Sequence, residues 1–228
     1  MIRINVVAEG QSEMFFAKRV LNSYFNGSRI VNSRCVLTST DNRVNYEYRG
    51  GMETYEHARN DIIRWLKEDK DAYVTTMFDF YRLPNDFPGF EEARRQKLAL
   101  DSVKLLEQSL LQDITDKAPG ISRGRFIPYI QLHEFEALLY TDLSVLECVY
   151  LGVDERKAIE KLLLETKNIP PEEINNGDNT APSKRLMNAV GYRKGSAPAL
   201  WLELITVDRI LEKCQHFADW INTLSSLS

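Results

Sequence analysis

Acidic residues follow three apolar segments of the sequence. Glu9 comes directly after the first segment, Asp79 stands at the end of another, and Glu134 and Glu136 follow the last. Each segment is typical of a strand, and in an open α/β sheet ligands bind beyond the carboxyl ends of the strands. We therefore expect these carboxylates to converge at one edge of a sheet.

Converging carboxylates have a characteristic chemistry. They repel one another unless protons or a cation intervene, and hard cations such as Mg²⁺ prefer oxygen ligands. The acids therefore predict a magnesium site, with Mn²⁺ as the alternative cation. Two such ions about 4 Å apart catalyse in-line displacement at phosphorus, since one prepares the attacking water and the other stabilises the leaving oxygen.

Each acid also has a structural interpretation. Glu9, Glu13 and Glu134 can favour a helix N-terminus, where acids interact well with the helix dipole, and Asp79 can cap the turn after its strand. Residues two apart point to nearly opposite sides of a helix, so only one of Glu134 and Glu136 would face the site there. We expect Glu136 to be that ligand and Glu134 to support it or to bind a second metal. The coincidence of acids at three strand ends favours the metal site.

The elements that must position these acids alternate along the chain. Strands are expected at 2–8, 33–40, 72–80 and 125–132, and helices at 12–25, at 52–69, from about 91 onward and at 133–140. This alternation predicts an α/β fold with a mostly parallel central sheet flanked by helices. We expect this domain to span residues 1–140, with a helical extension at 141–228 that packs on it and completes the site.

Composition restricts the class of protein. The chain has 228 residues, 43% of them hydrophobic, and a formal net charge of −4, which argues against nucleic-acid binding by bulk charge. Cys35, Cys148 and Cys214 are too far apart for a zinc pattern and too few for a disulfide framework, so we expect reduced thiols. No apolar run approaches the roughly 20 residues of a membrane span, and we expect a cytoplasmic protein with no membrane partner.

One local segment is basic in this acidic chain. The stretch "PSKRLMNAVGYRKG" contains Lys184, Arg185, Arg193 and Lys194 and no acid. Such a patch beside a carboxylate cluster would bind the phosphates of a nucleic acid, and Tyr192 could stack on a base. A solvated surface loop explains the same charges.

The motifs resemble a known family. "VVAEGQSE", "MFDFY" and "HEFEALL" are similar, in that order, to the Toprim fold of topoisomerases, primases and OLD-type nucleases. With "TTMFDFYRLPNDFPG", "APSKRL" and "YRKGSAP", they resemble more closely the bacterial domain of unknown function 4276, which is regarded as Toprim-like. The resemblance covers most of the chain.

The Toprim resemblance implies roles for individual residues. The family's metal-binding glutamate matches Glu9, the following helix acid matches Glu13, and the first aspartate of its D-x-D motif matches Asp79. The second aspartate is replaced by Tyr81, so a ligand is missing unless Asp86 takes its place.

Later motifs complete the match. The acid, apolar residue and glutamate of OLD-type nucleases match "EFE" at 134–136, and their late lysine near the scissile phosphate matches Lys184 or Lys194. His133 is a candidate general base, but a lone histidine at a strand end more often orients its neighbours through hydrogen bonds.

The resemblance implies a Mg²⁺-dependent phosphoesterase. We expect a nuclease on DNA or RNA in phage defence or repair, with an ATPase partner and with oligomers open as a further option. Tyr81 favours a second hypothesis, a non-catalytic binding or regulatory subunit of an ATPase-containing complex. A primase-like activity is a third, against which the lack of a nucleotide-binding glycine loop argues.

Overall fold

The computed structural model describes residues 1–41, 46–49, 51–121, 123–174, 177, 180–193 and 197–228, with the side chains of 38–41, 46–49, 197 and 199 left out. The chain divides into two compact units, Met1–Gln131 with Ser228, and Leu132–Leu227. The predicted domain boundary after residue 140 stays a prediction. None of the described helices is long and apolar enough to cross a membrane.

The first unit is built on a mostly parallel sheet. Its strands are β1 (Ile2–Ala8), β2 (Arg29–Cys35), β3 (Leu37–Asp41), β4 (Tyr46–Arg49), β5 (Tyr73–Asp79), β6 (Phe126–Ile127) and β7 (Ile130–Gln131). The main sheet has the order β2-β1-β5-β6, with β7 also paired to β5, and every one of these pairings is parallel. β3 and β4 form a separate antiparallel pair. The predicted α/β fold is therefore confirmed.

Helices of the first unit pack on this sheet. They are α1 (Gln11–Phe15), continued by a π-helix at Phe16–Leu21, α2 (Asn22–Tyr24), α3 (Tyr55–Glu68), α4 (Phe90–Ala93) and α5 (Ala99–Lys117), with short 3₁₀ helices at Phe80–Arg82 and Arg123–Arg125. Six of the seven residues of β5 are buried, as expected for a central strand that is covered on both faces.

Three predicted elements have different bounds in the structure. The strand expected at 33–40 is two strands, because the chain leaves the main sheet after Cys35 and enters the β3–β4 hairpin at Leu37. The long helix expected from residue 91 is interrupted between Ala93 and Ala99, where Ser102 Oγ donates to the Ala93 carbonyl at 2.9 Å. The first helix, expected from residue 12, begins at Gln11, and Gly10 is its N-cap.

The strand expected at 125–132 is interrupted at Pro128, which has no N–H to donate to a neighbouring strand. The side chain of Thr76 bridges the gap. Its Oγ1 donates to the Tyr129 carbonyl at 2.8 Å and accepts from the Tyr129 N–H at 2.9 Å. Two short strands, β6 and β7, therefore continue the sheet beside β5.

The second unit is helical, as predicted for the C-terminal region. It contains 3₁₀ helices at Phe135–Thr141, Leu143–Cys148 and Pro171–Glu173, and α6 (Val153–Thr166), α7 (Pro182–Val190), α8 (Ala197–Ile205), α9 (Val207–Lys213) and α10 (Gln215–Ser225). Leu186, Leu202, Ile210, Phe217 and Ile221 form part of its core and are completely buried. The segment after His133 was expected to be helical, and it is a 3₁₀ helix.

Arg125 holds the end of α3 against the start of β5. Its guanidinium donates to the carbonyl oxygens of Leu66, Asp69 and Ala72 at distances between 2.5 and 3.3 Å. We predict that Arg125→Ala lowers the free energy of unfolding by at least about 2 kcal/mol, since a hydrogen bond to a charged group is worth about 1.5–3 kcal/mol.

Urea denaturation monitored by circular dichroism measures this loss. The matched control is Arg123→Ala, because Arg123 is exposed in the same short helix and should change stability by less than about 0.5 kcal/mol. Equal stabilities of the two variants would contradict the role of Arg125.

Candidate functional site

Glu9 is fixed by its backbone at the carboxyl end of β1. Its N–H donates to the Met77 carbonyl of β5 at 3.1 Å, which continues the ladder that pairs Ala8 with Met77. Its own carbonyl accepts from the Gly51 N–H at 2.9 Å, and Gly51 has a φ of 77°, which favours glycine. The peptide of Glu9 is therefore held from both sides.

The carboxylate of Glu9 lies against the backbone of Asp79. Glu9 Oε2 accepts from the Asp79 N–H at 3.0 Å, and Glu9 Oε1 is 4.0 Å from Arg82 Nε. Glu9 is 4% exposed and Asp79 is 3% exposed. The structure thus brings these two sequence-predicted residues together, both buried, at the ends of neighbouring parallel strands.

Glu13 closes the turn that follows Glu9. Its Oε2 accepts from the Gly10 N–H at 3.0 Å, and the residue is buried. A Cβ on Gly10 would lie 3.0 Å from the same oxygen, so glycine leaves the carboxylate room to approach the backbone. Glu13 therefore has a structural role in shaping the turn, and its predicted role as a metal ligand stays a prediction.

Tyr81 replaces the second aspartate of the D-x-D motif, and Asp86 was the candidate to take its place as a ligand. Tyr81 is 43% exposed, and its ring stacks on Phe80 with centroids 5.6 Å apart. Both carboxylate oxygens of Asp86 accept from the Tyr55 N–H, at 3.0 and 3.2 Å. Asp86 thereby satisfies a free N–H at the start of α3, a role that the sequence did not reveal.

In the second unit, Glu134 is held by the first turn of α7. Its Oε2 accepts from the Ser183 N–H at 3.0 Å, and its Oε1 accepts from Ser183 Oγ at 3.1 Å. Ser183 lies in the "APSKRL" motif, but nothing in its spacing indicated that it would contact the "EFE" acids. The carboxylate also compensates the positive end of the α7 dipole.

Glu136 is held by a tyrosine. Its Oε1 accepts from the Tyr192 hydroxyl at 2.7 Å, and both residues are almost completely buried. The Tyr192 ring also packs against Trp201, with centroids 5.5 Å apart. The base-stacking role expected of Tyr192 does not fit this position, because a buried ring offers no face to a base.

Glu134 and Glu136 are both buried, and the prediction that only one of them faces the site assumed that both lie on one helix. Glu134 has an extended backbone (φ −138°, ψ 155°) and precedes the 3₁₀ helix that contains Glu136, so the helical spacing does not relate the two. Glu9 and Asp79 belong to one unit and Glu134 and Glu136 to the other. The predicted convergence of all four acids stays a prediction.

His133 precedes these acids in a strained conformation. Its φ of 64° lies in the left-handed region, which residues other than glycine seldom adopt. Burial lowers the pKa of His133, and a hydrogen bond with the Glu172 backbone and the charge of Glu134 act in the opposite direction. The neutral imidazole is therefore favoured.

The residues of the basic segment differ in accessibility. Lys184 on α7 and Arg193 after it are exposed. Arg185 is half-buried, and its Nε donates to the Thr180 carbonyl at 2.8 Å. Lys194 lies outside the described residues. Among the described residues of this segment, Lys184 and Arg193 are thus the cations most accessible to a ligand from solvent.

Comparison with known proteins identifies the family. Residues 8–225 match the family described as Domain of unknown function (DUF4276). The chain belongs to the DUF4276 family. No curated protein and no solved structure matches it. The DUF4276 match includes every candidate site residue named above.

The acids of this DUF4276 protein set a limit on any metal centre. Within the described part of the chain, no group of three or more His, Cys, Asp or Glu side chains could hold a metal ion. Mg²⁺, however, often retains several waters and binds through one or two carboxylates together with substrate phosphates. The pair formed by Glu9 and Asp79 fits that mode of binding.

The hydrogen bond between Tyr192 and Glu136 gives a stability prediction. Tyr192→Phe removes a donor to a buried carboxylate and should lower the free energy of unfolding by about 1.5–3 kcal/mol. Chemical denaturation of the two proteins at pH 7 measures the difference.

Tyr150→Phe is the control for this variant. Tyr150 also packs on Trp201, with centroids 5.9 Å apart, and it is half-buried, so its hydroxyl should be worth less than about 0.5 kcal/mol. If Tyr192→Phe were as stable as the unaltered protein, the carboxylate of Glu136 would not depend on the phenol.

Proposed function

We propose that this DUF4276 protein is a Toprim-like, Mg²⁺-dependent phosphoesterase that acts as a nuclease on DNA or RNA. The observation that carries the proposal is the pair of buried carboxylates, Glu9 and Asp79, at the ends of neighbouring parallel strands. Buried carboxylates at neighbouring strand ends offer the oxygen ligands that Mg²⁺ prefers, which supports a bound cation at this place. The match of "EGQSE" and "MFDFY" to Toprim motifs supports the same assignment.

Glu9 and Asp79 are the residues that would hold the metal. A bound Mg²⁺ would supply Lewis-acid activation of a phosphoryl oxygen and of the attacking water. The Asp79 N–H holds Glu9 Oε2 at 3.0 Å and so fixes the orientation of that carboxylate before any ligand arrives. Because the Glu9 carboxylate is already oriented, the metal ion does not have to order it on binding.

A cation, Arg82, lies close to Glu9. Its side chain is 52% exposed, and its Nε lies 4.0 Å from Glu9 Oε1. A guanidinium can form paired hydrogen bonds with a phosphate, so Arg82 could bind the substrate beside the acids. Arg82 was not a candidate in the sequence analysis, because the Toprim motif that was matched ends at Tyr81.

Exposed cations of the basic segment support a polyanionic substrate. Lys184 and Arg193 are accessible in the second unit and would contact backbone phosphates. Glu134 and Glu136 are proposed as further acids of the reaction on the Toprim resemblance. The same resemblance suggests a place in phage defence or repair, and an ATPase partner.

The test is cleavage of plasmid DNA, linear DNA and RNA by the purified protein with Mg²⁺ or Mn²⁺. Glu9→Gln and Asp79→Asn should each lower the cleavage rate by at least about 100-fold, since loss of even an outer-shell partner typically costs 10–100-fold. Glu53→Gln is the control, because Glu53 is an exposed acid close to Gly51 in the chain. Full activity in both site variants would contradict the assignment.

A second candidate function is a non-catalytic binding or regulatory subunit. Tyr81, which stands where Toprim enzymes have a second aspartate, favours it. On this hypothesis no metal-dependent cleavage is seen with any substrate, yet the protein still associates with a partner ATPase. Cleavage that depends on Asp79 excludes it.

A further inference from the structure

A pocket of about 730 Å³ lies within the second unit. Its walls come from the end of the 3₁₀ helix Phe135–Thr141, from α6, from the loop 166–171 and from α9. None of the residues assigned to the phosphoesterase lines it. Binding sites for small molecules typically have volumes of about 300–1,000 Å³, so this pocket can admit a compact organic ligand.

Apolar atoms form most of the surface of the pocket. Leu143, Leu163, Leu164, Ile169 and Pro170 face the pocket, and Leu164 is 69% exposed. Covering a solvent-accessible leucine side chain with an apolar ligand lowers the free energy of the complex. The pocket therefore favours a ligand with an apolar body.

Cations give the pocket its polar character. Arg209 and Lys213 stand four residues apart on α9 and so share one face of that helix, and Lys167, directly after α6, lies on another wall. Lys213 Nζ donates to the Thr141 carbonyl at 2.6 Å, which places its ammonium at the wall, and an ammonium has further donors to offer. Arg209 also pairs with Glu212 at 2.9 Å.

Acids of the lining offset these charges only in part. Asp142 Oδ1 accepts from the N–H of Ser144 at 3.1 Å and from its hydroxyl at 2.5 Å, so this carboxylate is used to cap the next helix. Glu160 is the other acid of the lining. Three cations and two acids line the pocket, and although Arg209 also pairs with Glu212, the ammonium and guanidinium donors at the wall favour an anionic ligand.

We propose that this pocket binds a small amphipathic anion, an aromatic or aliphatic body that carries one phosphate or carboxylate group. The apolar body packs on the leucines of α6, and the anionic group interacts with Lys213 and Arg209. This site does not depend on the proposed phosphoesterase activity.

Isothermal titration calorimetry with 1-naphthyl phosphate as the ligand tests the proposal. The titration is done in EDTA, so that metal-dependent hydrolysis cannot consume the probe. Saturable binding at one site is expected, with 1-naphthol at least about fivefold weaker. Arg209→Gln and Lys213→Gln should each weaken binding of the phosphate by about tenfold, as expected when a charged hydrogen bond is lost.

Two controls separate binding from folding. Lys161→Gln removes an exposed cation of α6 that does not line the pocket, and it should leave the affinity unchanged. Lys213→Arg keeps the charge and should restore most of the binding lost in Lys213→Gln, with circular dichroism as the check on folding. The proposal is overturned by the absence of saturable binding, by equal affinity for 1-naphthol, or by an equal loss in Lys161→Gln.

Discussion

The hydrogen bond from the Asp79 N–H to Glu9 Oε2 is the contact on which the account of the first unit depends. It exists because β1 and β5 are neighbouring parallel strands whose register aligns Ala8 with Met77, which brings the carboxylate of Glu9 within reach of the backbone at the end of β5. A buried carboxylate is tolerated only when charges or hydrogen bonds compensate its loss of hydration. The position of Glu9 is therefore a property of the sheet and not of a loop.

The same physical requirement recurs at the other motif acids. Glu13 accepts from the Gly10 N–H, Glu134 from Ser183, and Glu136 from Tyr192. In each case the partner comes from another sequence motif or from the adjoining turn. This pairing gives a physical reason for the motifs to occur together in one chain, because each acid needs a donor that another motif or the adjoining turn provides.

Strand ends and the alternation of elements could be predicted from the sequence, because β5 and its acid are encoded locally by an apolar run that ends in Asp79. The break at Pro128 is equally local, but it was not predicted, because the apolar residues on both sides of the proline form one continuous strand pattern. The partners of Glu134 and Glu136 could not be predicted. Ser183 and Tyr192 lie about fifty residues further along the chain, and only the folded unit brings them to the acids. The base-stacking role predicted for Tyr192 rested on the charges around it, because a basic segment suggests an exposed ring, whereas the ring is buried in the fold.

Anomalous diffraction from crystals soaked in Mn²⁺ tests the central claim most directly. An anomalous peak is expected in direct contact with carboxylate oxygens of Glu9 and Asp79, and it should be lost in crystals of Asp79→Asn grown and soaked in the same way. Mn²⁺ bound elsewhere, with no peak at this pair at millimolar concentrations of the metal, would contradict it. The buried acids would then be a structural feature of the sheet.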